Sequence, residues 1–448
     1  MTESFREQAD QVIAALYARQ GEIRPEPRLW PTRRAVELLG DPQHMFGVIH
    51  VTGSNGKTST ARMIDALMRA HGLRTGLMTS PHIERLNERI VIDGEEVGDE
   101  HLVANYRDIE PYLAIVDAEC AANGEPGLTF FEALTVLTFA CFADAPVDVA
   151  VLEVGMGGEW DSTNVANADV AVMGPISLEH TEYLGSNLEE IARTKAGIIK
   201  PASRVVSSAQ DPAVIHVIVD ACERDEAHLG VLGRDFHLLG TTPAVGGQMI
   251  DLAVSGGEYR DIALPLLGVH QAENAVLAVA AVEQFLGGGE HPLGHEVVEE
   301  GLSHASSPGR LEVVSHRPTV IVDAAHNPAG AESLARALMQ SFQFETLVVV
   351  LGVLSDKDAH GIAEALDPLA DLVVVTQSQS DRAVRAEDLA ASVQTVAGPD
   401  RTSWRESVAE AMELAMAQAG EDGGVVVTGS VTLIAEVRQW ATGEERES

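Results

Sequence analysis

The chain has 448 residues, 45% hydrophobic and 22% charged, which suits two domains with sizeable cores and excludes a disordered composition. Its 30 basic and 68 acidic residues give a formal charge of −38, which disfavours nucleic acid and anionic membrane as partners. Three cysteines without metal-type spacing, no long apolar run and an N-terminus unlike a signal peptide lead to the expectation of a reduced, cytoplasmic protein.

From about residue 46 onward, Val/Ile-rich runs alternate with helical patterns. Strands are expected at Phe46–Val51, Val147–Val154, Asp169–Ile176 and Arg204–Ser207, then at Val320–Ala324, Thr346–Leu351, Leu372–Thr376 and Val425–Thr428. Near-continuous apolar strands separated by helices indicate parallel sheets covered on both faces. The spacing of Ala61, Ile64, Leu67 and Met68 predicts an amphipathic helix over 57–70. A second helix, Leu188–Ala196, carries Glu189 and Glu190 early and ends at Gly197, as helix ends prefer. Residues 230–265, with Gly246-Gly247 and Gly256-Gly257, read as an antiparallel meander. Small residues, Pro and Gly at His304–Gly309 mark a boundary, giving domains 1–304 and 305–448.

Between the first strand and the 57–70 helix lies VTGSNGKTST, residues 51–60. Such a junction presents unpaired N–H groups and the positive end of the helix dipole. Gly53 and Gly56, with Ser54 and Asn55 between them, let the backbone approach an anion. Lys57 can reach terminal phosphates, and Thr58 or Ser59 offers a hydroxyl to Mg²⁺. Glu153 closes a buried strand, where nucleotide enzymes hold magnesium; a plain strand-end carboxylate is the alternative. A dinucleotide fingerprint fails because Trp160 stands where the third glycine of Gly155-Met-Gly157 would fall. His180 follows another strand end, on the edge where open α/β sheets bind ligands.

These segments, with TSPHIERLNERIVIDGEEV, TFFEALTVLTFACF, LEVGMGGEWDSTN, ISLEHTEYLG, KAGIIKP, GVHQAENAVLA, SPGRLE, DAAHNPAG and TGS in that order, resemble folylpolyglutamate synthases of the Mur-ligase superfamily. The resemblance runs from about residue 30 to about residue 435. The superfamily's phosphate loop is the short G-[ST]-x-G-K-[ST] form, so Val51 is normal and Gly53 makes the close approach.

The resemblance implies an α/β chain: an N-terminal P-loop-type mononucleotide-binding domain with a parallel central sheet, and a smaller Rossmann-like C-terminal glutamate-ligase domain. It implies an ATP-dependent carboxylate–amine ligase that adds L-glutamate to the γ-carboxylate of folate, and to dihydropteroate if the chain is bifunctional. Two magnesium ions are implied, with K⁺ a further candidate, and a monomer is the expected state. Lys57 would neutralise the β/γ-phosphates, while Thr58 or Ser59, Ser80 and Glu153 would hold one metal. His180 would ligate the other, beside Lys195, whose ammonium Mg²⁺ would repel unless CO₂ converts it to a carbamate. Residue by residue, the resemblance gives Asn274 to adenine, Arg310 to phosphates and Asp323 to ribose. It gives His326 and Ser430 to the incoming glutamate, with Lys357 a further candidate, and Arg89 and Phe131 to folate. Closure of a hinge near 304–310 is expected with them. Plain alternatives are a helix-start role for Asn274, an interdomain Arg310–Asp323 ion pair, a core role for Phe131 and a surface position for Lys195.

Two departures stand out: Glu159-Trp160-Asp161 where many members have Arg-Leu-Asp, and Glu179 where many have Asp. The first removes a positive charge near the site; the second lengthens a side chain beside His180. The nearest rival is a cell-wall amino-acid ligase of the same superfamily. DAAHNPAG, in place of DYAHNP, and KAGIIK favour the folate branch. A nucleotide-dependent switch would want a guanine-specifying N-K-x-D segment, and SDKD has Ser at its first place.

Overall fold

A computed structural model describes residues 4–19 and 27–442, and every structural statement below concerns those residues. The first sheet is built from β1 (Gly47–Thr52), β2 (Thr75–Met78), β3 (Ile90–Ile92), β4 (Glu95–Glu96), β5 (Val149–Glu153), β6 (Val170–Met173), β7 (Arg204–Ser207) and β8 (His228–Val231). Their order is β4-β3-β2-β5-β1-β6-β7-β8, parallel except where β3 pairs antiparallel with β2 and β4. A meander follows, β9 (His237–Ala244), β10 (Gly247–Val254) and β11 (Gly257–Leu264), with its glycine pairs at the turns. The last sheet contains β12 (Glu312–His316), β13 (Thr319–Asp323), β14 (Leu347–Leu351), β15 (Leu372–Val375), β16 (Thr402–Trp404) and β17 (Gly424–Thr428). It runs β12-β13-β17-β14-β15-β16, with β12 antiparallel at one edge.

The apolar runs are strands because both faces of each sheet are covered. In the last sheet Ile321, Val349, Val373 and Val426 point into one core, while Val320, Val348, Val374 and Val425 point into the other. Each fully buried side chain of this kind contributes about 1.5–3 kcal/mol. One face of the first sheet is covered by helices Phe5–Tyr17, Trp30–Leu38, Asp99–Ala122 and Phe130–Asp144 toward one end and by Leu188–Ala196 and Pro212–Arg224 toward the other, since the register partners Leu152, His50 and Ala171 share that face. Helix Lys57–Ala70 packs on the opposite face. No helix is long and apolar enough to cross a membrane.

The chain divides into two compact units. One holds Met1–Gly240, Ile250–Ala263 and Glu273–Ala305; the other holds Thr241–Met249, Leu264–Ala272 and Ser306–Ser448. The main cut falls at 305/306, and residues before it divide between the two units. The ends of the meander have different neighbours: Tyr259 donates to Glu283 in the first unit, whereas Gln248 Nε2 donates to Leu266 and Gly268 carbonyls in the second.

Two local expectations change. Helix Lys57–Ala70 is not one-sided, since Met63, Asp65 and Ala66 are buried as well. Helix His295–Ser303 covers its outer face so closely that a Cβ on Gly301 would sit 2.8 Å from Leu67 Cα. Gly197 ends its helix at φ −63, not in the left-handed region. It is glycine because Glu159 presses against it; a Cβ there would lie 2.5 Å from Glu159 Cα.

Candidate active site

The phosphate loop leaves β1 at Thr52 and enters helix Lys57–Ala70 at once. Gly53 has φ +150 and a Cβ there would come within 3.0 Å of Gly174 Cα; Gly56 has φ +79 and lies under the Asn274 carboxamide. Both positions therefore exclude side chains. The loop is held from behind by the chain leaving β6. Ser54 N donates to Pro175 O at 2.8 Å, and Ser54 Oγ exchanges bonds of 3.0 Å with Ser177 N and O. The first-turn amides of the helix, lacking intrahelical acceptors, then face the loop as an anion site. Lys57 Nζ folds back to Gly53 O at 2.8 Å.

Glu153 ends β5, the strand beside β1, with Val51 as its register partner. Its carboxylate is 1% exposed; Oε1 accepts Thr58 Oγ1 at 2.9 Å and Oε2 accepts Ser80 N at 3.1 Å. Thr58, Ser80 and Glu153 thus gather around one point, and Ser59 is buried in the same helix turn. One carboxylate with hydroxyls suits Mg²⁺, which takes few protein ligands and keeps substrate and water oxygens. Among the described residues no three His, Cys, Asp or Glu side chains form a closed cage.

His180 opens the short helix Thr181–Leu184 at φ +45, a left-handed conformation that a histidine adopts at some cost. Lys195, from helix Leu188–Ala196, is not a surface lysine: its side chain is 2% exposed. Its Nζ donates to Gly53 O at 2.9 Å and pairs with Glu179 Oε1 at 2.7 Å. Burial alone would raise Glu179, but the Lys195 and Lys57 ammoniums hold its carboxyl well below the usual range. Burial lowers the hold of Lys195 on its proton; Glu179 opposes this and Lys57 adds to it. As an ammonium, Lys195 is a charge partner and not a metal ligand.

Sequence reasoning missed this use of Glu179, which it took as a mild lengthening beside His180. Two further neighbours were missed. His50, wholly buried on β1, donates Nε2–H to Thr163 Oγ1 at 2.8 Å, and the threonine hydroxyl donates to Asp161. Asp161 also accepts Met156 N at 2.9 Å, which fixes the Gly-rich turn after Glu153. Burial, helped by the charge of Lys200, lowers the His50 pKa to about 3.

The residues given to folate separate. Arg89 is 2% exposed, donates Nε to His82 Nδ1 at 2.7 Å and lies 5.2 Å over the ring of Phe130. Tyr17 also stacks on Phe130, with centroids 4.9 Å apart. Phe131, one residue on, instead lies over Gly155, where a Cβ would meet its ring at 2.6 Å.

In the second unit, Asp323 ends β13 and accepts Leu311 N and Ala325 N, each at 2.8 Å. Burial raises its pKa while Arg310 pulls it down. Both belong to that unit, so the interdomain ion pair falls away. His326 donates Nδ1–H to Ala324 O, and Ser430 Oγ accepts Leu433 N after the adjacent strand β17. Gly429 N and Thr428 Oγ1 both donate to Ala325 O, which ties the two strand ends together. Lys357 pairs with Asp356 at 3.1 Å.

Residues 51–282 match the family described as the Mur ligase middle domain, and 309–431 match the Mur ligase, glutamate ligase domain. The dihydrofolate synthase/folylpolyglutamate synthase of Mycobacterium tuberculosis is 45% identical over 96% of this chain and 93% of its own. A folylpolyglutamate synthase of Lacticaseibacillus casei is 34% identical over 93% of this chain and 96% of its own. A solved structure of the M. tuberculosis folylpolyglutamate synthase complexed with ADP superposes with a TM-score of 0.93 at 44% identity, covering 98% of this chain and 99% of that one.

Proposed function

The chain belongs to the Mur ligase family, in the folylpolyglutamate synthase/dihydrofolate synthase branch, and we propose from this how its residues perform that ligation. It is an ATP-dependent ligase that joins L-glutamate to a folate γ-carboxylate and, at the same site, to dihydropteroate. The carboxylate oxygen attacks the γ-phosphorus and the β–γ bridging oxygen leaves with ADP. The glutamate amine, having lost a proton, then attacks the acyl carbon, and inorganic phosphate departs.

The observation that carries this reading is the gathering of Lys57, Thr58, Glu153, Glu179 and Lys195 around one loop, through Gly53 O and the Glu153 carboxylate. Lys57 moves from the loop carbonyl to the β/γ-phosphates, because an ammonium–phosphate bond is stronger than one to a neutral oxygen. Thr58, Ser59, Ser80 and Glu153 would hold one magnesium ion, and His180 with Lys195, as its carbamate, a second. When bound, these ions neutralise phosphate charge and polarise the acyl carbonyl. K⁺ is a third cation to test. Carbamate formation joins the neutral Lys195 nitrogen to CO₂ and releases a proton to solvent. The Glu179 pair must part first, and burial of Lys195 favours loss of that proton. Asn274 is proposed for adenine, Arg310 for phosphates, Asp323 for ribose, and His326 and Ser430 for glutamate.

The test is phosphate release with ATP, supplying glutamate with tetrahydrofolate or with dihydropteroate. Release that depends on glutamate and on either acceptor supports both activities. Release from ATP alone at the same rate refutes the ligase.

A further inference from the structure

Gln210, just beyond β7, is half-buried and no motif drew attention to it. Its carboxamide brackets the backbone that leaves β6. Nε2 donates to Gly174 O at 2.8 Å and to Ser208 Oγ at 2.9 Å, while Oε1 accepts Ile176 N at 3.1 Å. A carboxamide has two N–H donors and one acceptor oxygen, so these three bonds use its donors fully.

The bracket repairs a gap that the sequence makes unavoidable. The last main-chain rung between the two strands is Ser208 N to Met173 O, at 2.9 Å. In a parallel ladder the next group facing β7 would be the N–H of residue 175, and Pro175 has none. The chain turns at Gly174: Gly174 N donates to Thr52 O on the β1 side, but Gly174 O faces the other way. Beyond the turn, Pro175 O faces β1 and accepts Ser54 N, leaving Gly174 O and Ile176 N toward β7. Gln210 takes both, as the main chain of a paired residue opposite Pro175 would. The segment so fixed holds Ser54 on one side and runs on to Glu179 and His180.

We propose that Gln210 is a positioning residue for the nucleotide edge: its carboxamide stands in for the missing rung of β7 and sets both the phosphate loop and the approach to His180. It touches no substrate; it acts through Gly174–Ser177. The inference rests on the nucleotide-binding reading above, so the experiment separates the two.

ADP affinity is measured by calorimetry for the parent, Gln210→Leu, Gln210→Glu and Ser208→Ala, well below each melting temperature, together with KM for ATP and for glutamate. Gln210→Leu removes the whole bracket, and its ADP affinity falls about tenfold or more with a parallel rise in KM for ATP. KM for glutamate stays within about twofold. Gln210→Glu keeps the acceptor for Ile176 N but sets an oxygen against Gly174 O, so it also loses affinity. Ser208→Ala, which leaves both main-chain bonds, stays within about twofold of the parent. Parent-like ADP affinity in Gln210→Leu, or an equal loss in Ser208→Ala, overturns the proposal. A parent that binds no ADP overturns the reading beneath it, and the proposal with it.

Discussion

Lys57 and Lys195 donate to the same oxygen, the carbonyl of Gly53, at 2.8 and 2.9 Å. Two ammonium groups on one acceptor repel each other, and what offsets the repulsion is Glu179, whose carboxylate feels both. The loop therefore stores positive charge before any phosphate arrives. The two lysines are not equivalent: one belongs to the loop's own helix, and the other comes from a helix more than a hundred residues later.

Lys57→Ala is expected to lower kcat about 10²–10³-fold, the usual loss when a preorganised charge at a phosphoryl-transfer site is removed. Lys57→Arg should recover little, because a planar fork cannot fold back on Gly53 O as a point charge does. Steady-state rates with saturating glutamate decide this. A kcat within twofold of the parent removes Lys57 from the mechanism.

Lys195→Ala should lose about 10³-fold or more in turnover, and a small added carboxylic acid should restore part of it by supplying the missing oxygens. It also strands Glu179 in the interior, at a stability cost of about 3–5 kcal/mol. Glu179→Gln, which leaves the Lys195 ammonium on Gly53 O without its counter-charge, should likewise melt lower. Urea unfolding of the three proteins measures the cost, and parent-like turnover in Lys195→Ala would falsify its assigned role.

Glu153→Gln should shift the magnesium dependence to higher concentration and lower kcat about 100-fold. The amide can keep both neighbours, its oxygen accepting Ser80 N and its nitrogen donating to Thr58 Oγ1, so what the variant removes is the negative charge and one metal-facing oxygen. Turnover titrated with Mg²⁺ tests this. Superimposable curves for variant and parent would remove Glu153 from the metal set.

His50 predicts an acid weakness. Its pKa falls from 6.5 to about 3 on burial, so the unfolded chain binds more protons between those values. The stability it contributes is fully present above about pH 6.5 and is lost as the pH falls toward about 3, by up to about 1.4 kcal/mol per pH unit. Urea midpoints between about pH 7 and 5 should therefore fall more steeply for the parent than for His50→Gln. Equal slopes would show that His50 carries no such linkage.

The parts of the molecule that were legible in the sequence are those where neighbours in the chain are neighbours in space. The phosphate loop is one: strand, glycines, lysine and helix follow in order. The Val-rich strands are another, because a buried parallel strand is apolar on both faces. Helices Phe5–Tyr17 and Trp30–Leu38 are not legible, since they precede β1 and no apolar strand alternates with them. Phe131 rests on the resemblance alone, because helix Phe130–Asp144 is buried nearly all round and offers no polar face to set its phase. Glu179 and Lys195 meet from separate elements, and no spacing rule links a strand exit to the last turn of a following helix. Gln210 was silent for a similar reason: its meaning depends on a proline one strand away.

The order β5-β1-β6 has a consequence for how the site tolerates evolution. Glu153, the loop after Thr52 and the run from Gly174 leave three adjacent strands whose pitch is set by main-chain bonds at about 4.8 Å apiece. The backbone thus acts as a ruler, graduated independently of any side chain. Helices on either face can drift or change composition while the anchors of the carboxylate, the loop and the histidine segment stay in step.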